Sequence, residues 1–224
     1  MVHKRALTTD DLQLIINHYH SSLLHDDLLF IAMLITGFFG LLRLGEMTFP
    51  DDTSLQNWKK VTRQSTVVIQ EHLYEFLLPS HKANHYFEGN KIIIPAHRFN
   101  HHPLHHFMSY ITSCDTLHLV TSPLWLTEAG AVPTWSFFIN HLQLFFNNNV
   151  AGQSMRAGGA TALAEKGVSP AIIQASRHWA SEAFLVYIRK NPTLIQGFLY
   201  AMSSASSSSP SGTSSLLASS SPTL

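Results

Sequence analysis

Apolar residues recur along this chain at two different spacings, and each spacing predicts a different kind of element. Before residue 50 and after residue 103 they recur every three to four positions, which is the period of an amphipathic helix. The run from Thr8 to Asp11 places small oxygen-bearing side chains and acids where helices start, and Gly167 is a good helix stop. The pattern predicts helices over residues 10–20, 27–39, 103–113, 134–147, 153–166, 170–176, 181–190 and 192–201, and a short helix over residues 41–47.

Between residues 66 and 94 the chain changes to short runs rich in β-branched and aromatic residues. These runs cover residues 66–69, 74–78 and 91–94, and polar turns separate them. They predict a three-stranded antiparallel sheet with a hairpin tip near residues 82–90. The expected fold class is therefore mainly α with a small three-stranded antiparallel β-sheet.

Composition divides the chain into one domain and a tail. Residues 203–224 contain 12 serines and no charged side chain, so they cannot bury enough apolar surface to order themselves. We expect a single domain over residues 1–202 and a disordered Ser-rich tail over residues 203–224. The apolar run 28–42 is shorter than the about 20 residues that span a bilayer, so it predicts a buried core helix and no membrane association.

Charge and cysteine content limit the partners and the compartment. Only 12% of the residues are charged, and Lys+Arg equal Asp+Glu at 14 each, which is not the global signature of a nucleic-acid binder. The single Cys114 excludes an internal disulfide and favours an intracellular, reducing compartment. Phosphate recognition must therefore depend on local basic clusters, of which there are two: Lys59, Lys60 and Arg63, and Arg177, Arg189 and Lys190.

Residues suited to phosphodiester chemistry occur in four separate segments. Arg43 belongs to an Arg-x-x-Glu motif, Lys82 follows the second predicted strand, and Arg156 opens the run Arg-Ala-Gly-Gly-Ala-Thr. Trp179 and Tyr187 are eight positions apart, which places them on one face of a helix. A guanidinium can neutralise a phosphate while a phenol oxygen attacks it. The alternative interpretation is that the two aromatic residues serve packing and that Arg156 is a solvated helix residue.

The order of these motifs resembles the catalytic domain of the tyrosine recombinases, the phage-integrase-like DNA breaking-rejoining enzymes. The resemblance covers roughly residues 10–200, and the combination of Arg-x-Gly-Gly-Ala-Thr with Trp…Tyr-Ile-Arg is similar to variants carried by fungal mobile elements. It implies an integrase-like catalytic core that acts on double-stranded DNA. It further implies DNA recombination or integration through a 3′-phosphotyrosyl intermediate, with no cofactor.

The resemblance also implies a role for each matched residue. Arg43 and Arg156 would bind the non-bridging oxygens of one scissile phosphate through their forked guanidinium groups. Tyr187 would attack the phosphorus, and Lys82 would protonate the departing 5′ oxygen as general acid. Trp179 would donate its indole N–H to the phosphate, although an indole cannot shuttle a proton.

Three further positions have two open interpretations or depart from the family pattern. Gln153 occupies the place of a family histidine, and its amide can hydrogen-bond a phosphate oxygen but cannot accept the tyrosine's proton. His178, where relatives usually have glycine, either compensates for this or faces solvent at a helix end. Glu46 either orients Arg43 by its i, i+3 placement or is a solvated helix acid.

The organisation of the family raises a rival hypothesis. Relatives carry an N-terminal helical core-binding domain, and we expect this chain to lack it, since almost nothing precedes residue 10. A degenerate or domesticated recombinase that binds DNA or a partner without catalysis is therefore the alternative function. Family resemblance also implies four protomers on two duplexes, with the segment 192–201 as a docking element. A DNA substrate implies a nuclear location.

Histidines suggest a third and weaker hypothesis. Fifteen occur in the chain, and seven fall between His81 and His106. Pairs at i, i+4 within residues 101–106 are compatible with a transition-metal site and with a metal-dependent phosphodiesterase. No nearby carboxylate or cysteine completes a coordination shell, so we expect no metal and expect these histidines to face solvent or the DNA backbone.

Overall fold

The computed structural model describes residues 4–79, 90–96, 101–118, 123–170 and 173. Within these ranges four helices and a small three-stranded sheet pack around a fifth, long and buried helix. Four 3₁₀ turns lie between the second helix and the sheet. The elements are α1 (Thr9–Tyr19), α2 (His25–Phe39), β1 (Val68–Ile69), β2 (Leu73–Leu78), β3 (Asn90–Pro95), α3 (Pro103–Leu117), α4 (Trp135–Phe146) and α5 (Gly152–Glu165).

Helix α2 is the centre of the core. It is apolar on every side, and most of its residues are buried, since α1, α3 and α5 all pack against it. Its one buried hydroxyl, on Thr36, hydrogen-bonds the hydroxyl of Tyr74 at 2.7 Å. Among the described residues, no helix is both long and apolar enough to cross a membrane. The prediction that this run forms a buried core helix is confirmed.

The sheet is antiparallel with strand order β1-β2-β3, as predicted. Strand β2 alternates between faces, so that Tyr74, Phe76 and Leu78 point into the core. The Tyr74 ring stacks on Phe107 of α3 at 4.1 Å between centroids. Burial raises the pKa of the Tyr74 phenol well above its ordinary value. This tyrosine is therefore a packing residue and not a nucleophile.

Two adjacent glycines allow α5 to pack directly on the backbone of its neighbours. A Cβ at Gly158 would lie 2.1 Å from the carbonyl oxygen of Leu7, and one at Gly159 would lie 2.0 Å from that of Phe38. Both distances are impossible for a methyl group, so only glycine permits this approach. The Gly-Gly pair in the motif therefore fixes the position of α5 against the end of α2.

Element boundaries follow the sequence predictions with three differences. Strand β1 is only Val68–Ile69, shorter than the predicted run 66–69, because Gln64–Thr66 forms a 3₁₀ turn. Helix α3 continues to Leu117, beyond the predicted end at residue 113, because the buried Cys114 extends its apolar face. The predicted short helix over 41–47 is wrong, since Leu41 has a φ of 52° and only Leu44–Glu46 forms a 3₁₀ turn. Gly167 ends α5 at a φ of 78°, as expected of a helix stop. The predicted helices beyond residue 173, the hairpin tip and the tail lie outside the described residues.

Candidate active site

Arg43 lies in a tight turn at the end of α2. Leu41 turns the chain through the left-handed region, and Leu42 returns a hydrogen bond from its N–H to the carbonyl of Gly37 at 2.8 Å. This backbone path leaves the side chain of Arg43 62% exposed. A guanidinium in this position can reach a ligand in solvent.

Glu46 stabilises this turn through two contacts with Arg43. Its Oε2 accepts a hydrogen bond from the backbone N–H of Arg43 at 2.7 Å, and its Oε1 lies 3.6 Å from the Arg43 guanidinium. The Glu46 side chain is only 10% exposed. The alternative interpretation of a solvated helix acid is therefore wrong, and the geometry agrees with a residue that positions Arg43.

Arg156 lies in the second turn of α5 and is 7% exposed. The alternative interpretation of this arginine as a solvated helix residue is therefore wrong. Burying a guanidinium is costly unless other groups compensate for its lost hydration, so its place in the core requires a reason beyond helix solubility.

The packing of α5 brings Arg156 next to the turn that carries Arg43. A Cβ at Gly152 would lie 2.7 Å from Cδ2 of Leu44, and one at Gly159 would lie 2.7 Å from Cδ2 of Leu41. Arg156 is four positions from one of these glycines and three from the other, so it shares their face of the helix. The structure therefore places two arginines that are far apart in sequence on adjoining segments.

Gln153 is exposed in the first turn of α5, three positions before Arg156. The backbone N–H groups of a first helical turn carry partial positive charge. The hydroxyl of Ser154 accepts a hydrogen bond from the N–H of Ala151 at 3.0 Å and so closes this end of the helix. The amide of Gln153 is thus exposed to solvent, while its hydrogen bond to a phosphate and its role in catalysis stay predictions.

Described residues line a cavity of about 140 Å³ that begins next to the Arg43 turn, at Gly45. The residues that line it include Gly45, Glu46, Lys60 and Trp135. The indole nitrogen of Trp135 lies 3.7 Å from the position of a Cβ at Gly45. The cavity therefore connects the Arg43 turn to the segment that carries Lys59 and Lys60.

The first predicted basic cluster lies at the protein surface. Lys59, Lys60 and Arg63 are all exposed to solvent. Within the described part of the chain, neither Lys59 nor Lys60 forms an ion pair. The remaining predicted site residues lie outside the described residues. They are Lys82, Arg177, His178, Trp179, Tyr187, Arg189 and Lys190.

The histidine-rich segment differs from the prediction. His101 is buried, with 4% exposure, and its ring contacts Phe39 at 5.8 Å between centroids. Burial, followed by the neighbouring His105, lowers the pKa of His106 to about 4. The expectation that these histidines face solvent or DNA is therefore wrong for His101, since packing against α2 buries it. Among the described residues, no group of three or more His, Cys, Asp or Glu side chains could hold a metal ion.

Sequence reasoning overlooked two tryptophans near the turn. Trp58 directly precedes the two lysines and is 64% exposed, while Trp135 starts α4 and is 46% exposed. The position of Trp58 directly before Lys59 and Lys60 is visible in the sequence and could have identified it as a candidate. The approach of Trp135 to Gly45 was not, because it depends on a bridge between Phe49 and Thr134 that only the fold creates.

The fold is that of the catalytic domain of the tyrosine recombinases, as the comparison with solved structures shows. One match is the XerH site-specific recombinase bound to difH substrate in a pre-cleavage complex, with a TM-score of 0.57, 12% identity, and coverage of 92% of this chain and 53% of that chain. Another is XerH bound to palindromic difH substrate in a post-cleavage complex, with a TM-score of 0.62, 10% identity, and coverage of 89% and 53%. The chain thus spans about half the length of these recombinases.

No family model matches the sequence, and no curated protein matches it either. At 10–12% identity the structural likeness defines the fold alone. The finer resemblance to variants of fungal mobile elements stays a prediction.

Proposed function

We propose that this chain is the catalytic part of a tyrosine-type DNA recombinase, an enzyme that cleaves and rejoins double-stranded DNA. The observation that supports the proposal is the packing of α5, the helix that carries Arg156, whose glycines seat it against the turn that carries Arg43. Two guanidinium groups on adjoining segments fit the two non-bridging oxygens of one phosphate. They do so within a fold shared with site-specific recombinases.

The two arginines have complementary tasks in this proposal. Arg43 is exposed and can approach the DNA backbone, while Arg156 is buried and cannot move far. A preorganised donor of this kind stabilises the charge that develops on a five-coordinate phosphorus, and its loss typically costs about 3–4 kcal/mol of barrier. Glu46 positions Arg43 through the backbone hydrogen bond.

The covalent step is assigned to Tyr187. Its phenol oxygen loses its proton to solvent and attacks the scissile phosphorus, the bond to the 5′ oxygen breaks, and Lys82 donates a proton to that leaving oxygen. The product is a 3′-phosphotyrosyl bond, and attack by a 5′ hydroxyl reverses the step without a cofactor. Gln153 and Trp179 donate hydrogen bonds to the phosphate, and His178 has a supporting role.

Binding of the duplex is assigned to the basic clusters Lys59, Lys60 and Arg63, and Arg177, Arg189 and Lys190. Because the net charge is zero, these local clusters must supply the attraction to phosphate. We further propose assembly of four protomers on two duplexes and action in the nucleus on an integrating element. The assembly of four protomers, the nuclear location and the integrating element follow from the resemblance to the family.

Trapping the covalent intermediate tests the proposal. A duplex nicked close to the cleavage position loses its short leaving strand, so a phosphotyrosyl adduct accumulates and migrates slowly in a denaturing gel. We expect an adduct with the parent protein and none with Tyr187→Phe. Because the target site is unknown, a library of nicked duplexes is screened. The absence of a tyrosine-linked product across that library contradicts catalysis by this chain.

A second candidate function is DNA binding without cleavage. It is favoured by Gln153, which is exposed beside Arg156 and lacks an imidazole that could accept the proton of the tyrosine. In that case duplex binding is measurable, no adduct forms, and Tyr187→Phe behaves like the parent in every assay. Gln153→His distinguishes the two candidates further, since restored cleavage would identify a catalytically weakened enzyme.

A further inference from the structure

Trp58 presents a large apolar surface to solvent at a place where the chain is rigid. Its side chain is 64% exposed, and the nearby Leu55 is 66% exposed. It opens the 3₁₀ turn Trp58–Lys60. An exposed indole offers a partner a large apolar face together with a polar N–H group.

The turn that carries Trp58 is fixed by its neighbours. The Asn57 side chain accepts a hydrogen bond from the N–H of Lys59 at 2.9 Å, and the Asn57 carbonyl accepts one from Lys60 at 2.9 Å. The indole meets the buried ring of Phe49 edge-on, with centroids 5.2 Å apart and planes at 86°. A side chain held in this way loses little conformational entropy when it binds.

The surroundings of Trp58 favour a polyanion as the partner. Lys59 and Lys60 follow it directly, both are exposed, and within the described residues neither forms an ion pair. Lys60 also lines the cavity that Gly45 and Glu46 line. The segment therefore borders the same cavity as the residues that follow Arg43 in its turn.

We propose that Trp58 contacts the bases or sugars of the bound duplex while Lys59 and Lys60 contact its phosphates. This inference rests on the proposed function and adds a residue that nothing in the family motifs assigns. Lysine–phosphate contacts release counterions, so their contribution falls as salt rises. An indole against a base or sugar releases none, so its contribution is independent of salt. The two kinds of contact can therefore be separated by titration.

The test measures the dissociation constant for duplex DNA at several salt concentrations. Trp58→Ala is expected to weaken binding roughly tenfold at every salt concentration, with the slope of log K against log salt unchanged. Lys59→Ala and Lys60→Ala are each expected to make that slope shallower by about 1. Trp58→Phe, which keeps an aromatic face, should recover part of the affinity.

Leu23→Ala is the matched control, because Leu23 is apolar, 89% exposed and located before the opposite end of α2. That helix is about 22 Å long, so this residue is far from the Arg43 turn, and its loss should leave DNA binding unchanged. Thermal melting of each variant verifies the fold. Equal affinity of Trp58→Ala and the parent overturns this inference alone, as does a change in slope. A parent protein that binds no duplex overturns the proposed function as well.

Discussion

At the scale of single residues, the contact between Glu46 and the backbone of Arg43 is the most informative feature of the candidate site. A carboxylate that is 10% exposed and hydrogen-bonded to a backbone N–H at 2.7 Å fixes the direction in which the turn leaves α2. The exposed guanidinium of Arg43 depends on that direction. Under the proposed function Glu46 is a positioning residue, and it should affect the rate of cleavage more than the affinity for DNA.

We predict that Glu46→Ala slows single-turnover strand cleavage about 10- to 100-fold, as the loss of a charge-assisted hydrogen bond of roughly 1.5–3 kcal/mol implies. Affinity for the duplex should change less than about twofold. Glu46→Gln keeps an oxygen acceptor for the Arg43 N–H and should recover much of the rate. The control is Glu71→Ala, since the Glu71 side chain is 88% exposed. An unchanged rate in Glu46→Ala would show that the turn holds its shape without this contact.

His106 gives a prediction about stability and pH. Burial, followed by the charges of His105, His102 and His101, lowers its pKa from 6.5 to about 4. Because the unfolded chain then binds more protons than the folded one between these values, the free energy of unfolding must fall as the pH drops from about 6.5 to 4. In His106→Gln, the decrease in the free energy of unfolding over this pH range should be smaller than in the parent by roughly 1–3 kcal/mol. Urea unfolding at pH 7 and pH 4.5 measures it, and equal losses in both proteins would refute the assignment.

Residue identities in the candidate site could be predicted from sequence, but their environments could not. The Arg-x-x-Glu and Arg-Ala-Gly-Gly motifs identified Arg43, Glu46 and Arg156 as candidates. Sequence reasoning could not tell that Glu46 and Arg156 are withdrawn from solvent, because their burial depends on packing between α5 and the end of α2. The burial of His101 was missed for the same reason, since its partner Phe39 is distant in sequence.

At the scale of elements, the contact between α2 and α5 decides whether a site can form. The carbonyl of Phe38 occupies the space that any side chain at Gly159 would need. This contact also determines how far Arg156 lies from the Arg43 turn. A methyl group at Gly159 must therefore push α5 away and change stability and activity together.

We predict that Gly159→Ala lowers the free energy of unfolding by about 2 kcal/mol or more, because overpacking outweighs the roughly 1 kcal/mol that alanine gains in a helix. Urea denaturation measures the change. Gly45→Ala is the matched control, since its Cβ would meet only the indole of Trp135 at an ordinary 3.7 Å. It should change stability by less than about 0.5 kcal/mol. A neutral Gly159→Ala would mean that α5 is not seated as described.

Periodicity predicted most of these elements because, in amphipathic helices and alternating strands, the spacing of apolar residues follows the spacing of the buried positions. The order and direction of the three strands also followed from their short connections. The segment after α2 was mispredicted as a helix because its apolar spacing continues through Leu41 and Leu42. The helix ends because Leu41 has a positive φ, a conformation that a leucine rarely adopts. Tertiary packing imposes this conformation, so the local sequence pattern could not predict it.

At the scale of the whole molecule, the chain has the fold of a recombinase catalytic domain and about half the length of the recombinases it matches. Because its net charge is zero, the DNA binding proposed above must rely on locally clustered basic residues. On the described part of the chain, Lys60 lines the cavity that Gly45 and Glu46 also line, and the exposed Trp58 and Lys59 directly precede Lys60. Together with Arg43, these are the residues that the proposed function places against the duplex.

The central claim is that Arg43 and Arg156 act on one phosphate, and the rate of covalent adduct formation tests it most directly. Arg43→Lys, Arg156→Lys and the double variant keep the positive charges but lose the forked geometry, and thermal melting checks each fold. We predict that each single variant slows adduct formation at Tyr187 about 10²- to 10³-fold, and that the double variant is far less impaired than the product of the two effects. Adduct formation at the parent rate in both single variants, or effects that multiply fully in the double variant, would contradict the claim.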